Sequence, residues 1–169
     1  MILSNLIAGG LSGVGATVLI DLWALFLRSA FQIPSLNLCL LGRWVLHMPG
    51  GTFAHPNIAK AAAKPGECAT GWATHYSIGI GLGGAFSLLA GTEWWKSPTL
   101  WQPLAFGIVS VVMPFFVMQP ALGLGMASSR TPNPAAARLK SLGTHSMFGL
   151  GLYLSARLIG LLLPGLVGA

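Results

Sequence analysis

Hydrophobic residues along the chain gather into four long stretches separated by more polar segments. A helix needs about 20 mostly apolar residues to cross the hydrocarbon core of a bilayer. The pattern predicts four such helices, at residues 5–27, 71–90, 100–123 and 142–163. We therefore expect an all-α membrane protein in which residues 1–169 form a single domain, a bundle of four transmembrane helices.

The long segment between the first two predicted spans carries a further apolar cluster. The stretch from Pro34 to Met48 is rich in leucine and contains Trp44, but it is too short to span a bilayer. Proline is favoured in the first turn of a helix, so we expect a helix that begins at Pro34. Its length and composition predict an interfacial or re-entrant helix in the first cytoplasmic loop.

Small residues and prolines indicate how the spans pack. Small residues stand four apart in three of the spans: Gly9 and Gly13, Gly79 and Gly83, and Ala156 and Gly160. This spacing lets helix backbones approach closely, either within one chain or across a homodimer. The third span also contains Pro103, Pro114 and Pro120. Because proline removes a backbone donor and kinks a helix, we expect this span to bend and to open a cavity.

Composition supports a membrane location. The chain has nine Lys or Arg residues and three Asp or Glu residues, and charged residues make up 7% of it. Soluble domains contain about 25%, and an apolar content of 54% would leave a soluble fold with large exposed apolar patches. The net charge of +6 does not indicate nucleic acid, because the basic residues are too thinly spread to follow a phosphate backbone. The expected partner is the lipid bilayer.

The basic residues predict the orientation in the membrane. The side that carries the two longer loops holds seven of them: Arg28, Arg43, Lys60, Lys64, Arg130, Arg138 and Lys140. The opposite side holds Lys96 and, at its edge, Arg157. Because Lys and Arg in short loops mark the cytoplasmic face, both termini are expected to be extracytoplasmic.

The two cysteines, Cys39 and Cys68, have neither the spacing of a metal site nor that of a redox motif. Free cysteine is usually buried and behaves as a small apolar residue. We therefore expect each to be a filler near the membrane surface.

Polar residues inside the spans are few, and each span holds one at its predicted cytoplasmic end: Asp21, His75, Gln119 and His145. The alternating direction of the spans puts all four at a similar depth, which predicts a common site, because polar groups in membranes are costly and usually functional. Arg130, in a Pro-rich loop, is the expected partner of Asp21 or of an anionic ligand. Structural readings remain open: a packing acid for Asp21, satisfied histidines, and a kink-stabilising role for Gln119.

A set of short motifs is spread over nearly the whole chain: Asp21-Leu22-Trp23, Ile33-Pro34-Ser35, Gly42-Arg43-Trp44, His47-Met48-Pro49, Gly71-Trp72 with His75-Tyr76, Met118-Gln119-Pro120-Ala121-Leu122-Gly123, Ser129-Arg130-Thr131-Pro132, and His145 with Phe148-Gly149-Leu150-Gly151-Leu152-Tyr153. In these motifs the chain resembles a family of small bacterial inner-membrane proteins classed as a domain of unknown function. The resemblance implies a bacterial origin and an inner-membrane location, and it implies no particular activity.

Several functions fit the polar residues. The first is transport or permeation of a small ion or solute, with Asp21 exchanging a proton and His75 and His145 lining the path. A second is a metal or haem protein that uses His75 and His145, with Asp21 as a further metal ligand. A third is a membrane enzyme acting on a lipid headgroup, and a fourth is an assembly factor for another membrane protein. The sequence names no cofactor and no substrate.

Overall fold

The computed structural model describes residues 2–167, and every regular element within them is helical. The longer helices are α1 (Ile2–Phe31), α2 (Leu38–His47), α3 (Glu67–Lys96), α4 (Trp101–Ala121) and α5 (Pro134–Leu162). A short helix, α6 (Pro164–Val167), follows α5. The predicted all-α class is confirmed.

Three of these helices, α1, α4 and α5, are long and apolar enough to cross a membrane, which indicates a membrane protein. Helix α3 contains the predicted span at residues 71–90 and has 30 residues, but it does not reach the mean hydropathy of the other three. Its glycines and the adjacent His75 and Tyr76 lower the average over this stretch.

Contacts divide the described chain into two units. The first unit contains residues 2–35, 76–109 and 144–167, and the second contains residues 36–75 and 110–143.

In the first unit, α1 turns small side chains toward its neighbours and large ones outward. Its buried residues are all small: Ala8, Gly9, Ser12, Gly13, Ala16 and Thr17. Large apolar residues of the same helix are exposed, among them Ile7, Leu11, Val18, Leu22 and Leu25. This distribution is typical of helices in lipid, where association depends on close backbone packing and the outer surface is itself apolar.

Glycines bring α1 and α3 into backbone contact within the first unit. A methyl group added at Gly9 would lie 2.7 Å from the carbonyl oxygen of Gly83, and one added at Gly13 would overlap the carbonyl oxygen of Gly79. For these two pairs of glycines, the predicted close packing therefore occurs within one chain. A homodimer would have to use a surface other than these two glycine faces, and it stays a prediction.

In the second unit, α2 confirms that the loop after the first span contains a helix, but the predicted start at Pro34 is wrong. The helix begins after Asn37, whose side chain accepts a hydrogen bond of 3.0 Å from the backbone N–H of Cys39. This N-cap satisfies one of the backbone donors that every helix start leaves free. Whether α2 is interfacial or re-entrant stays a prediction.

Helix α4 changes its hydrogen-bonding pattern where the prolines predicted a bend. Residues Pro114–Met118 form a π-helical turn, and the backbone N–H of Gln119 bonds the carbonyl oxygen of Pro114, five residues earlier. Single π-turns inside α-helices are frequent at functional positions. This turn places Gln119 on the buried side of the helix, with 5% of its surface exposed.

Candidate functional site

The carboxylate of Asp21 is hydrogen-bonded inside the first unit. The hydroxyl of Tyr76 on α3 donates to Oδ2 of Asp21 on α1 over 2.9 Å, and both residues are partly buried. Asp21 continues the series Gly9, Gly13 and Thr17 at intervals of four residues, so it lies on the face of α1 that packs against α3. The glycine contacts thus bring the two polar side chains together.

The Asp21–Tyr76 pair is the candidate for a proton or cation site. A carboxylate within a membrane helix is costly unless it is protonated, paired or hydrogen-bonded. The tyrosine hydroxyl donates a hydrogen bond to the carboxylate and holds it in place.

Gln119 joins three segments of the second unit. Its Oε1 accepts a hydrogen bond of 2.9 Å from the hydroxyl of Ser128, and its Nε2 donates to the hydroxyl of Ser141 over 3.4 Å. Its backbone oxygen accepts from the N–H of Leu124 over 2.9 Å. With both ends of the amide satisfied, the structure favours a bridging role for Gln119.

The turn that contributes Ser128 has an unusual backbone. Ala127 and Ser128 have φ values of 46° and 60°, in the left-handed region that residues with a Cβ adopt at a cost. The Ala127 carbonyl accepts a hydrogen bond of 2.8 Å from Nε of Arg138. The Gln119–Ser128 bond secures the other side, and the hydroxyl of Thr131 donates to the Ser128 carbonyl over 2.8 Å, so three side-chain contacts hold this turn.

The remaining predicted site residues are distributed over both units. His145 belongs to the first unit, where its side chain hydrogen-bonds the backbone of Gly107. His75 and Arg130 belong to the second. The ring of His75 contacts that of Trp72 edge to face with centroids 6.1 Å apart, and Arg130 is exposed. A common site of Asp21, His75, Gln119, His145 and Arg130 stays a prediction.

A metal centre gains no support from the structure. Among residues 2–167, no group of three or more His, Cys, Asp or Glu side chains comes together as a metal site. The alternative that His75 and His145 hold a metal or a haem stays a prediction.

The expectation that the two cysteines are free is wrong, because Cys39 and Cys68 form a disulfide with Cα atoms 3.9 Å apart. Each is the second residue of its helix, α2 or α3, and a glycine follows three positions later. A methyl group at Gly42 would overlap the carbonyl oxygen of Glu67, and one at Gly71 would overlap that of Leu38. The starts of the two helices thus touch backbone to backbone, and this contact brings the two sulfurs within bonding distance.

An ion pair lies beside the disulfide. The guanidinium of Arg43 donates two hydrogen bonds of 2.8 Å to the two carboxylate oxygens of Glu67. Its third nitrogen, Nη1, lies 3.4, 3.3 and 3.0 Å from the carbonyl oxygens of Ile58, Ala59 and Ala61. Arg43 therefore organises the loop before α3, and its bonds lower the pKa of Glu67 to about 2.

Two histidines lie near this ion pair. The rings of His47 and His55 meet edge to face with centroids 4.9 Å apart, and Nε2 of His47 lies 3.0 Å from the carbonyl oxygen of Ala62. His55 is buried, and its Nε2 has no hydrogen-bond partner within residues 2–167. Burial, reinforced by the charge of His47, lowers the pKa of His55.

Tyr76 is the site residue that the sequence reasoning missed. In the sequence, Tyr76 stands out only as part of the His75-Tyr76 motif. A tyrosine hydroxyl in an apolar helix needs a hydrogen-bond partner, however. Asp21, at a similar depth in the first predicted span, could have been identified as that partner. The sequence also contains a pattern that could have indicated the disulfide, since Cys-x-x-Gly occurs both at Cys39–Gly42 and at Cys68–Gly71.

Comparison with known proteins gives a family and no activity. The chain matches no curated protein and no solved structure. One family model, described as a protein of unknown function (DUF2938), matches residues 11–159. This match covers most of the chain and includes Asp21, Tyr76, Gln119 and both cysteines. The chain therefore belongs to the uncharacterised family DUF2938.

Proposed function

We propose that this protein transports or conducts a small ion or solute across the membrane, and that Asp21 exchanges a proton or a small cation during the process. The observation that carries the proposal is the hydrogen bond between Tyr76 and Asp21, 2.9 Å long, between two helices packed through glycines. A carboxylic acid within a membrane helix has a high free-energy cost, and in membrane proteins it usually has a role in transport or proton transfer.

The proposal includes four spans, with α3 as the fourth beside α1, α4 and α5. The length of α3 and its glycine contacts with α1 support this count. The excess of basic residues on the side of the two longer loops supports an orientation with both termini outside the cytoplasm. The family resemblance supports the inner membrane of a bacterium as the location.

The Asp21–Tyr76 pair favours transport over the other functions. No metal-site cluster within residues 2–167 supports a metal protein. The predicted pathway residues His75, Gln119, His145 and Arg130 remain part of the transport hypothesis.

A binding screen over several chemical classes tests the proposal while the cargo is still unidentified. The purified protein in detergent is heated with small cations, organic cations and organic anions, at two pH values, and the midpoint of unfolding is recorded. A ligand that binds only the folded state raises this midpoint. We expect one chemical class to stabilise the wild type and to lose its effect in Asp21→Asn.

The matched control is Glu93→Gln, which removes a carboxylate from an exposed ion pair with Lys96. It should respond to ligands like the wild type. If Asp21→Asn binds the same ligand with the same stabilisation, Asp21 has no part in binding and the proposal fails.

A further inference from the structure

Two features indicate different compartments for the side of the membrane that carries α2 and the start of α3. Seven basic residues mark this side as cytoplasmic. The same side carries the disulfide between Cys39 and Cys68. Disulfides persist in oxidising compartments, and in the cytosol they are usually transient or redox-sensing. A disulfide on a cytoplasmic face would therefore be one that opens and closes.

Exposure favours reaction at this bond. Cys68 is exposed and Cys39 is partly exposed, so the side of the bond formed by Cys68 is the more accessible to a thiol. Exposed disulfides are the ones that exchange readily with thiols. Each cysteine is also the second residue of a helix, and a helix N-terminus stabilises the thiolate that leaves when the bond breaks.

Non-covalent contacts hold the two helix starts together independently of the bond. The backbones touch at Gly42 and Gly71, and the bidentate Arg43–Glu67 pair spans the same two helices. None of these contacts uses a sulfur atom. After reduction these contacts keep the two thiols adjacent, so the disulfide can form again without a large rearrangement of the chain.

We propose that Cys39 and Cys68 form a reversible redox link between α2 and α3 on the cytoplasmic side of the membrane. This inference rests on the orientation in the proposed function and not on the transport activity. The partner is a dithiol reductant, the class of protein that keeps cytosolic thiols reduced.

The reaction is thiol–disulfide exchange. A thiolate of the reductant attacks the sulfur of Cys68, forms a mixed disulfide and releases the thiolate of Cys39, which takes up a proton. The second thiol of the reductant then attacks the mixed disulfide and releases the thiolate of Cys68, which is protonated in turn. Two electrons pass to the cysteine pair, and the reductant leaves as its own disulfide. Closure is the reverse exchange, in which a small disulfide such as oxidised glutathione accepts the two electrons and leaves as two thiols.

Thiol trapping in intact cells tests the link. Cells are quenched in acid, free thiols are labelled with a polyethylene-glycol maleimide, and the gel shift of the full-length protein is read before and after treatment with diamide. We expect two reactive thiols in untreated cells, none after diamide, and recovery of both once diamide is removed. Cys39→Ser, which leaves one thiol, calibrates the shift.

A reporter fused to the C-terminus fixes the orientation in the same cells. An extracytoplasmic C-terminus together with reversible labelling supports the link. A cytoplasmic C-terminus with a permanently closed bond overturns both the orientation and the link, since the bond would then be a structural disulfide in an oxidising compartment. An extracytoplasmic C-terminus with thiols that never close, or with a bond that never opens, overturns the link alone.

Re-formation of the bond tests the role of the surrounding contacts. The purified protein is reduced, the reductant is removed, oxidised glutathione is added, and the loss of free thiols is followed over time. The disulfide should form more slowly in Gly71→Ala and in the milder Glu67→Gln than in the wild type. It should form at the wild-type rate in Gly50→Ala, where an added methyl group meets no atom within 4 Å. Equal rates in all four proteins would contradict a preformed arrangement of the thiols.

Discussion

Tyr76 places its hydroxyl 2.9 Å from Oδ2 of Asp21, on the face of α1 where every fourth residue meets α3. Gly9 and Gly13 pack against the backbone of α3, Thr17 adjoins Gly79, and Asp21 is next in this series. The backbone contacts set the separation of the two helices. The position of Asp21 is therefore tied to the packing of small residues one and two turns away.

The first prediction concerns the contact between α1 and α3. In Gly13→Val the new side chain would overlap the carbonyl oxygen of Gly79, and backbone atoms cannot move aside cheaply. Overpacking of this kind costs about 1–3 kcal/mol. We expect a lower midpoint of thermal unfolding in detergent.

The control for this substitution is Gly81→Ala on α3, because a methyl group at Gly81 meets no atom within 4 Å. Its midpoint should equal or exceed that of the wild type, since alanine favours helix more than glycine does. Equal losses at Gly13 and Gly81 would mean that the close contact is not formed.

The second prediction concerns the polar bridge in the second unit. In Ser128→Ala, Oε1 of the buried Gln119 loses the donor that now lies 2.9 Å away. An unsatisfied buried polar group costs about 1–3 kcal/mol. Thermal unfolding should show this loss in Ser128→Ala but not in Ser129→Ala, whose side chain is exposed. A wild-type midpoint in Ser128→Ala would show that the bridge does not contribute to stability.

The third prediction is a pH dependence that comes from Glu67, which lies outside the predicted spans. Arg43 lowers its pKa from 4.5 to about 2 in the folded protein. Because the unfolded chain takes up the proton first, this contribution is complete above about pH 4.5 and is lost as the pH falls toward about 2. The unfolding midpoint of the wild type should therefore fall more steeply between pH 5 and 3 than that of Glu67→Gln. Parallel curves would contradict the ion pair.

The fourth prediction concerns His55 in the same unit. Burial and the charge of His47 lower its pKa below 6.5, so the folded protein favours the neutral ring. The unfolded chain binds the proton more readily, and stability is lost as the pH falls below 6.5. Between pH 7 and 5 the wild type should lose more stability than His55→Gln. An identical loss in both proteins would place the titrating group elsewhere.

The helices could largely be predicted from the sequence because lipid-crossing length and hydropathy are local properties. The small residues at Gly9 and Gly13 also indicated a close helix contact. The status of α3 could not be decided in the same way, since its glycines, together with His75 and Tyr76, dilute its hydropathy.

Contacts between segments distant in the sequence were harder to predict. Cys39 and Cys68 are 29 residues apart, and their pairing depends on two helix starts that meet through Gly42 and Gly71. The predicted start of α2 at Pro34 is wrong because Asn37 supplies a side-chain cap that outweighs the preference of Pro34 for a first turn.

Flux through proteoliposomes shows whether Asp21 exchanges protons or cations across the membrane. The wild type, Asp21→Asn and Tyr76→Phe are reconstituted at equal density with a pH-sensitive dye inside, and the ligand found by the binding screen is added outside. We expect a ligand-dependent change in internal pH or ligand content with the wild type, a slower change with Tyr76→Phe, and no change with Asp21→Asn. A flux in Asp21→Asn equal to that of the wild type would contradict this exchange.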